Sequence, residues 1–393
     1  METKQSISNV SSGLLWFGAA ISIAEIIMGT YIAPLGFAKG SVAIVLGHVI
    51  GIFLLYLCGL IGAESKLASI QSSRISFGKY GSYIFSVLNI LQLIGWTAIM
   101  IISCSKALGA VGGGLNEATW CLITGALIIV WILVGMKNLG KLNSIAVGAL
   151  FVLTLVLSFL IFKSASAGAV EGTMTFGRAL EISIAMPLSW LPLISDYTRF
   201  AKKSKQAAIV SSVAYFIGST WMYLIGLGAA IYAGTSDITQ ILAAAGLGIA
   251  ALIIVVMATV TTTFLDVYSA AVSFTNIRKK TNEKLAAIVV CVLGTLIAIF
   301  TPIEAYQDFL LLIGSVFAPM ITILITDYFI FKKRDISGMI NITNIVLWVV
   351  GFMLYRWFLS IDTLLGSTVP VMIIISILCI LVHYASKKFT QQK

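Results

Sequence analysis

Twelve long apolar runs follow one another along the chain, and short polar segments separate them. Each run is continuously apolar, whereas the strands of a membrane barrel alternate apolar and polar residues. A helix needs about 20 mostly apolar residues to cross the hydrocarbon core of a bilayer. The pattern therefore predicts an all-α integral membrane protein of about twelve transmembrane helices. The predicted spans are 13–37, 42–62, 83–109, 119–136, 143–162, 178–198, 207–233, 248–276, 285–301, 307–331, 339–359 and 369–386.

The composition supports lipid as the solvent of this chain. Hydrophobic residues make up 59% of the 393 residues and charged residues 10%, against about 25% charged residues in an average soluble domain. The five cysteines are scattered through apolar runs without metal-ligand spacing, so we interpret them as small buried hydrophobic residues and expect no metal site. No small-residue cleavage site follows the first apolar run, and we interpret that run as a retained helix rather than a signal peptide.

The basic residues predict the orientation of the chain. A net charge of +10 can indicate a nucleic acid partner, but the placement of the charges favours the positive-inside rule and no nucleic acid. With the N-terminus inside, 20 of the 25 Lys and Arg residues fall in cytoplasmic segments. We therefore expect a protein of the inner (cytoplasmic) membrane with both termini cytoplasmic. The five basic residues on the outer side are Lys39, Lys106, Lys163, Arg178 and Arg356.

Two of the predicted spans contain residues that interrupt a helix. The first span has Gly29 and Thr30 with Pro34 near its end, and the sixth contains Pro187 and Pro192. Transporters place substrate at such interruptions, and breaks five helices apart fit two five-helix repeats of inverted topology. Gly and Pro also serve as packing features of membrane helices, which is the alternative. We predict one transmembrane domain, 1–393, with repeat one at about 13–162, repeat two at about 178–331 and extra helices at about 339–386.

Carboxylates in the middle of spans are costly and therefore indicate function. Glu25 is the deepest of them, and Asp266 follows Thr261, Thr262 and Thr263 in the eighth span. Hydroxyls beside a carboxylate suit a bound cation or a polar ring. The alternatives are threonines that bond to their own helix carbonyls and carboxylates held in structural ion pairs. The second alternative is weaker because no Lys or Arg lies at a similar depth.

His48 and Trp96 are the other polar or aromatic candidates inside the spans. His48 lies between Gly47 and Gly51 and is interpreted as a polar packing residue rather than a proton relay. Trp96 lies too deep in the third span for the interfacial aromatic belt. It either stacks on a flat heterocycle or packs the core.

Charged residues near the ends of spans receive simpler interpretations. Lys106, Glu181 and Asp308 lie near outer ends and are expected to reach the interface. Asp196 and Asp327 lie at inner ends beside basic loops, where a charge pair or a gate is the natural role.

Three segments, in order along the chain, carry a resemblance to a known family. Residues 195–200 read Ser-Asp-Tyr-Thr-Arg-Phe, residues 266–277 contain Tyr-Ser-Ala-Ala and end in Asn-Ile, and residues 317–329 combine Ala-Pro with Asp-Tyr-Phe. They resemble signatures of the nucleobase–cation symporters for cytosine, purines, uracil, thiamine, allantoin and hydantoins. The stretch from Trp16 to Thr30 most resembles the CytX branch, which is thought to carry hydroxymethylpyrimidine, a thiamin precursor.

The resemblance implies the ten-helix inverted-repeat core of the leucine-type (LeuT-like) sodium symporters, plus two C-terminal helices. Substrate then lies between helices one, three, six and eight. Trp96 matches the family's stacking tryptophan, and Asp266 occupies the place of its substrate-binding asparagine. Glu25, Gln92 and the sixth-helix Trp190 complete the substrate-binding residues that we predict.

The matches for ion binding are partial. Of the family's eighth-helix hydroxyl pair, Thr261 is retained and Val260 replaces the serine; we add Thr262 and Gly29 as ion-binding candidates. Met100 stands where the family has a glutamine, so that hydrogen bond is absent or supplied elsewhere. The coupling cation is therefore Na+ or H+, and we expect no other cofactor.

Together these features predict a secondary active transporter that imports a pyrimidine-type heterocycle, hydroxymethylpyrimidine or cytosine, by cation symport with the two repeats rocking around it. The alternative is another small substrate (a purine, allantoin, a hydantoin or an amino acid) on the same fold. The sequence lacks His-Glu-x-x-His and Gly-x-Ser-x-Gly motifs, so we expect no enzyme. Its polar groups cluster at one depth, which disfavours a channel. We expect a monomer in the lipid bilayer.

Overall fold

The computed structural model describes residues 8–111, 114–163, 170–235, 249–300 and 306–391, and every regular element within these ranges is a helix. Lys4 and Lys393, two of the predicted cytoplasmic charges, lie outside the described residues, as do the first residue of the span 248–276 and the last of the span 285–301. The helices are α1 (Asn9–Ala20), α2 (Ile23–Tyr31), α3 (Phe37–Ser65), α4 (Ser69–Ser72), α5 (Arg74–Val111), α6 (Glu117–Lys163), α7 (Phe176–Ser189), α8 (Leu191–Thr198), α9 (Ser204–Ala233), α10 (Ile249–Ile277), α11 (Glu283–Phe300), α12 (Tyr306–Ile325), α13 (Ile342–Phe358) and α14 (Thr368–Gln391).

The described helices confirm a polytopic all-α membrane protein. Within the described ranges, eight helices are long and apolar enough to cross a bilayer, and the bent pair α1 and α2 forms one further candidate span. Helix α13 is apolar but shorter, with 17 residues.

The division between the fourth and fifth predicted spans, 119–136 and 143–162, is not seen in the structure. Helix α6 continues across both for 47 residues. The residues between them include no proline, so the helical hydrogen bonds can continue. A helix of that length extends about 70 Å, whereas the hydrocarbon core is about 30 Å thick. The count of twelve spans therefore stays a prediction.

Both predicted helix interruptions are present. The axis bends by 50° between α1 and α2, at Ser22, whose extended backbone ends one helix and whose hydroxyl accepts a hydrogen bond from the backbone N–H of Glu25 at 3.3 Å. The bend thus lies seven residues before Gly29, because a serine N-cap starts a new helix there. In the sixth span, Trp190 separates α7 from α8, with Pro187 inside α7 and Pro192 in the first turn of α8.

The helices pack in two groups. Helices α1, α2, α3, α7, α8 and α9 pack on one another, whereas α5, α6, α10 and α11 form a second group. Both interrupted spans belong to the first group. Each group combines helices from the two predicted repeats, so the packing groups do not coincide with the predicted repeats.

Glu181 corrects one sequence expectation. Its side chain does not reach the interface: it is 1% exposed and accepts hydrogen bonds from the backbone N–H groups of Ser367 and Thr368, at 2.6 and 2.8 Å, and from the hydroxyls of Thr368 and Tyr355. A carboxylate at a helix N-terminus satisfies unpaired N–H groups and the helix dipole. Glu181 therefore ties α7 to the start of α14.

The two carboxylates predicted to lie at inner helix ends, Asp196 and Asp327, both bind other parts of the protein. Asp327 forms an ion pair with Lys333 at 2.6 Å and accepts a hydrogen bond from Asn344 at 3.0 Å. Asp196 accepts a hydrogen bond from the backbone N–H of Ser69 at 2.8 Å, which attaches α8 to α4. The predicted charge pair is thus present at Asp327. Asp308, predicted to lie near an outer helix end, is exposed in the first turn of α12.

Glycines allow α2 and α9 to approach backbone to backbone. A Cβ atom at Gly226 would meet the carbonyl of Ile26, and one at Gly29 would meet the carbonyl of Tyr223. Small residues at helix contacts are the main device for close packing in membranes. The contact places Glu25 against α9.

We expect Gly226→Leu to separate α2 from α9 and to destabilise the protein by about 1–3 kcal/mol or more, because the added atoms have no space. The measurement is the apparent Tm of the detergent-solubilised protein. Gly109→Ala is the control, since no atom lies within 4 Å of a Cβ there. An unchanged Tm for Gly226→Leu would show that the contact is looser than described.

Candidate functional site

Glu25 lies at the start of α2 and is held by two hydroxyl groups of α9. Its side chain is 2% exposed. Tyr215 donates a hydrogen bond to Oε1 at 2.6 Å, and Ser219 donates one to Oε2 at 2.8 Å. Nε2 of His48, on α3, lies 2.7 Å from the Ser219 hydroxyl. The carboxylate is therefore satisfied by neutral polar groups, and no ion pair holds it among the described residues.

Trp190 belongs to an aromatic cluster next to this carboxylate. Its ring contacts Trp16 and Tyr215 edge to face, with centroids 5.6 and 5.9 Å apart. Tyr215 is the residue that donates to Glu25. The sixth-span tryptophan thus lies one side chain away from Glu25, in the first group of helices.

Trp96 approaches the same region from the second group of helices. It is 7% exposed and contacts Tyr306 and Phe309 edge to face, at 5.5 and 6.1 Å. The hydroxyl of Tyr306 donates to the carbonyl of Ala24 at 3.4 Å. Tyr306 therefore connects Trp96 to the residue before Glu25.

Asp266 is the least satisfied carboxyl group of the predicted site. It is 3% exposed, and it has neither a hydrogen bond nor an ion pair with any other described residue. Tyr197 and Tyr306 lie within electrostatic range of it, and Tyr197 donates to the neighbouring Leu265 carbonyl at 3.1 Å. A buried polar group without a partner is costly, so Asp266 is poised to accept one.

Gln92 belongs to a separate polar network. Its Nε2 donates to Asn89 Oδ1 at 2.7 Å, and Asn89 donates to Ser273 at 2.8 Å and to the Pro192 carbonyl at 3.5 Å. The Gln92 Oε1 atom is buried and has no partner among the described residues. The structure therefore joins Gln92 to α8 and α10 through Asn89 and not to Glu25.

The three predicted ion-binding residues have different surroundings. Thr261 donates to the carbonyls of Met257 and Ala258, at 2.9 and 3.0 Å, which is the back-bonding alternative. The hydroxyl of Thr262 is buried and has no partner among the described residues. Gly29 packs against the backbone of α9. The oxygen of Thr261 keeps its lone pairs as an acceptor while its hydrogen bonds to the backbone, and the hydroxyl of Thr262 has both its hydrogen and its lone pairs without a described partner.

Sequence reasoning missed Tyr215 and Ser219, the two donors to Glu25. With Tyr223 they are spaced by four residues and therefore lie on one face of α9. That stripe of hydroxyls in an apolar span is the signal that could have found them. It does not show which carboxylate the stripe faces, because α2 and α9 are far apart in sequence.

The fold and the site define a multi-pass membrane transporter: interrupted spans meet at a buried polar and aromatic cluster, between two groups of helices. The family described as "Permease for cytosine/purines, uracil, thiamine, allantoin" matches residues 2–378. The chain belongs to this family. Its members are transporters, so the expectation of a non-enzyme is confirmed.

Individual relatives agree with this assignment. The cytosine permease of Escherichia coli (strain K12) is 25% identical over 336 residues, which are 84% of this chain and 78% of the relative. The purine-cytosine permease fcyB of Emericella nidulans is 23% identical over 380 residues, 86% of this chain and 72% of the relative.

Solved structures confirm the fold. Mhp1, a nucleobase-cation-symport-1 family transporter in a closed conformation with bromovinylhydantoin bound, superposes with a TM-score of 0.82 at 20% identity, covering 98% of this chain and 94% of Mhp1. A Na+-coupled sialic acid symporter superposes with a TM-score of 0.71 at 15% identity, covering 95% and 90%. The predicted LeuT-like architecture is thus confirmed.

We expect Tyr215→Phe to destabilise the protein by about 1–3 kcal/mol, because it leaves one buried oxygen of Glu25 without its donor. The apparent Tm of the purified protein measures the change. Tyr223→Phe, on the same helix, is the matched control, since that hydroxyl gives only a 3.3 Å bond to the Ile182 carbonyl. Equal effects of the two substitutions would contradict the special role of the Glu25 contact.

Proposed function

We propose that this protein imports a pyrimidine-type heterocycle, hydroxymethylpyrimidine or cytosine, together with Na+ or H+. The observation that carries the proposal is that two buried carboxyl groups on opposite groups of helices, Glu25 on α2 and Asp266 on α10, are both within electrostatic range of Tyr306, which contacts Trp96. Tyr306 lies between them: it bonds to Ala24, contacts Trp96 and is in electrostatic range of Asp266.

These side chains suit an aminopyrimidine. Carboxyl oxygens accept hydrogen bonds from an exocyclic amino group and from a ring N–H, and bonds to an ionised acceptor are the stronger ones. An aromatic face such as Trp96 gives a flat ring a large apolar contact. The cytosine permease of Escherichia coli, which matches over most of this chain, supports a pyrimidine substrate.

The packing supports alternating access by relative movement of the two groups of helices. The predicted repeats, about 13–162 and 178–331, contribute to both groups, so we propose that the groups, and not the repeats, move as bodies around the substrate. The extra helices at about 339–386 pack mainly on α12 and on each other. We further propose a monomer in the inner membrane with both termini cytoplasmic.

A different heterocycle on the same fold is the second candidate. Mhp1 binds a bromovinylhydantoin, and the family description includes purines and allantoin. A purine, allantoin or a hydantoin would donate from its N–H groups to the same carboxyl oxygens and contact the same aromatic face. An amino acid is disfavoured because the described side chains around Glu25 and Asp266 include no cation to bind its carboxylate.

The direct test is uptake of radiolabelled cytosine and hydroxymethylpyrimidine into proteoliposomes, with Na+ and H+ gradients imposed separately. Accumulation of either compound under one gradient would support the proposal and identify the cation. If neither accumulates under either gradient, the substrate assignment is wrong, and purines, allantoin and hydantoins are screened in the same vesicles.

Asp266→Asn and Glu25→Gln are each expected to weaken uptake roughly 10- to 100-fold, because a hydrogen bond to a charged group contributes about 1.5–3 kcal/mol. Initial rates of uptake over a range of substrate concentrations measure the loss. Asp335→Asn, in an exposed loop, is the control. If both site variants transported like the parent, these carboxyl groups would not bind substrate.

Trp96→Ala is expected to raise the KM for uptake by about tenfold or more, whereas Trp96→Phe, which keeps an aromatic face, should raise it by less, since specific ring contacts contribute about 0.5–1.5 kcal/mol. Trp348→Phe, which alters a tryptophan bonded to the Val316 carbonyl on α12, controls for general packing. An unchanged KM for Trp96→Ala would show that Trp96 only packs the core.

A further inference from the structure

His48, Ser219 and Glu25 form a continuous hydrogen-bonded chain across α3, α9 and α2. Each is nearly inaccessible to solvent, with exposures of 0, 0 and 2%. Nε2 of His48 lies 2.7 Å from the Ser219 hydroxyl oxygen, which lies 2.8 Å from Oε2 of Glu25. The position of His48 between Gly47 and Gly51 predicts a packing role, and the substrate contacts proposed at Glu25, Trp96 and Asp266 do not involve it.

At the two ends of this hydrogen-bonded chain, His48 and Glu25, other partners fix the positions of the hydrogens. Nδ1 of His48 lies 2.9 Å from the carbonyl of Ile44. A carbonyl only accepts, so Nδ1 carries a hydrogen in every state. At the other end Tyr215 donates to Oε1 of Glu25, which places any carboxyl proton on Oε2, facing Ser219.

A serine hydroxyl has one hydrogen and can donate it to only one neighbour. If Glu25 is protonated, it donates to Ser219, which donates to neutral His48. If Glu25 is ionised, Ser219 donates to Glu25 and accepts from a His48 imidazolium. The two arrangements contain the same atoms and differ only in the positions of two hydrogens. A proton can therefore pass between Glu25 and His48 without changing the net charge of the three residues.

With any other number of protons, the hydrogen bonds among Glu25, Ser219 and His48 cannot all form. With one proton fewer, an ionised Glu25 and a neutral Nε2 both need the single Ser219 hydrogen, and a buried acceptor remains unpaired. With one proton more, both ends donate to the same oxygen, and a net positive charge is buried. Among the described residues, the titratable groups that face these three side chains include Tyr215 and Tyr223 of α9 and Tyr306 of α12, and Asp266 of α10 is within electrostatic range of Tyr306.

We propose that Glu25, Ser219 and His48 form a binding site for a single proton, and that this proton is the cation coupled to transport. The coupling rests on the proposed function, since it requires a transported substrate. Helices α2, α3 and α9 belong to one packing group, so the site moves as a unit. When the proton lies on His48, Glu25 is ionised and is the stronger acceptor for a donor on the substrate.

The proton site is tested without substrate by NMR of the full-length protein with 15N-labelled histidine. The chain has two histidines, His48 and His383, so His383→Gln leaves a single imidazole signal. We expect Nδ1 of His48 to stay protonated over the pH range and Nε2 of His48 to gain a proton as the pH falls. In the added Glu25→Gln variant, whose amide donates to Ser219 without a proton to lose, His48 should stay neutral over about pH 5–8. If Nε2 of His48 titrates in the same way with and without Glu25→Gln, the proposed proton site is wrong.

The coupling is tested with labelled cytosine in proteoliposomes. We expect accumulation driven by a pH gradient to fall about tenfold or more in Ser219→Ala, which breaks the chain. Ser212→Ala is the matched control: it lies on the same helix, and its buried hydroxyl has no partner among the described residues. Equal losses in the two serine variants, or accumulation of cytosine under a Na+ gradient alone, would overturn proton coupling. If no gradient drives uptake of cytosine or of hydroxymethylpyrimidine, the substrate proposal fails, and the histidine spectra alone decide the proton site.

Discussion

A carboxyl group inside a membrane protein must be neutralised or supplied with donors, since lipid offers neither water nor counter-ions. Glu25 meets this constraint through α9, where Tyr215 and Ser219 donate to its two oxygens. Those donors reach it only because glycines bring α2 and α9 into backbone contact. The bend at Ser22 starts α2 three residues before Glu25, which places the carboxylate in the first turn, where the helix dipole favours negative charge. The local geometry of the site thus follows from satisfying one side chain.

The same constraint organises the packing around it. Tyr215 carries the bond to Glu25 and also contacts Trp16 and Trp190. The break between α7 and α8 at Trp190 is therefore fixed against the break between α1 and α2. On the opposite side, Tyr306 bonds to the Ala24 carbonyl and contacts Trp96. A movement of the first group of helices against the second must change the contacts of Tyr306, because α12 is the element that bridges Ala24 and Trp96.

Much of the fold could be predicted from the sequence because its determinants are local. Apolar length predicts the spans, and the prolines at 187 and 192 predict the interruption in the sixth span. The donors to Glu25 could not be assigned, since partners 190 and 194 residues apart in sequence are brought together only by packing. Glu181 was misplaced for the same reason: its partners Ser367 and Thr368 lie in a distant helix N-terminus. Position along a span predicts depth in the membrane, but it does not predict which helix lies opposite.

The two central carboxyl groups differ in a way that suggests a division of roles. Glu25 has a donor on each oxygen and a histidine behind one of them, so its environment is complete before substrate arrives. Asp266 has no hydrogen bond from another described residue, although it is 3% exposed. Burying an unpaired carboxyl group costs free energy that a ligand can recover by donating to it. Substrate should therefore stabilise the arrangement in which α10 closes against α2, because there it donates to Asp266 while Glu25 keeps the donors that it already has. A cation bound within the first group would change the charge of Glu25 without changing that of Asp266. The cation and the substrate would therefore have separate contacts in the same closed state.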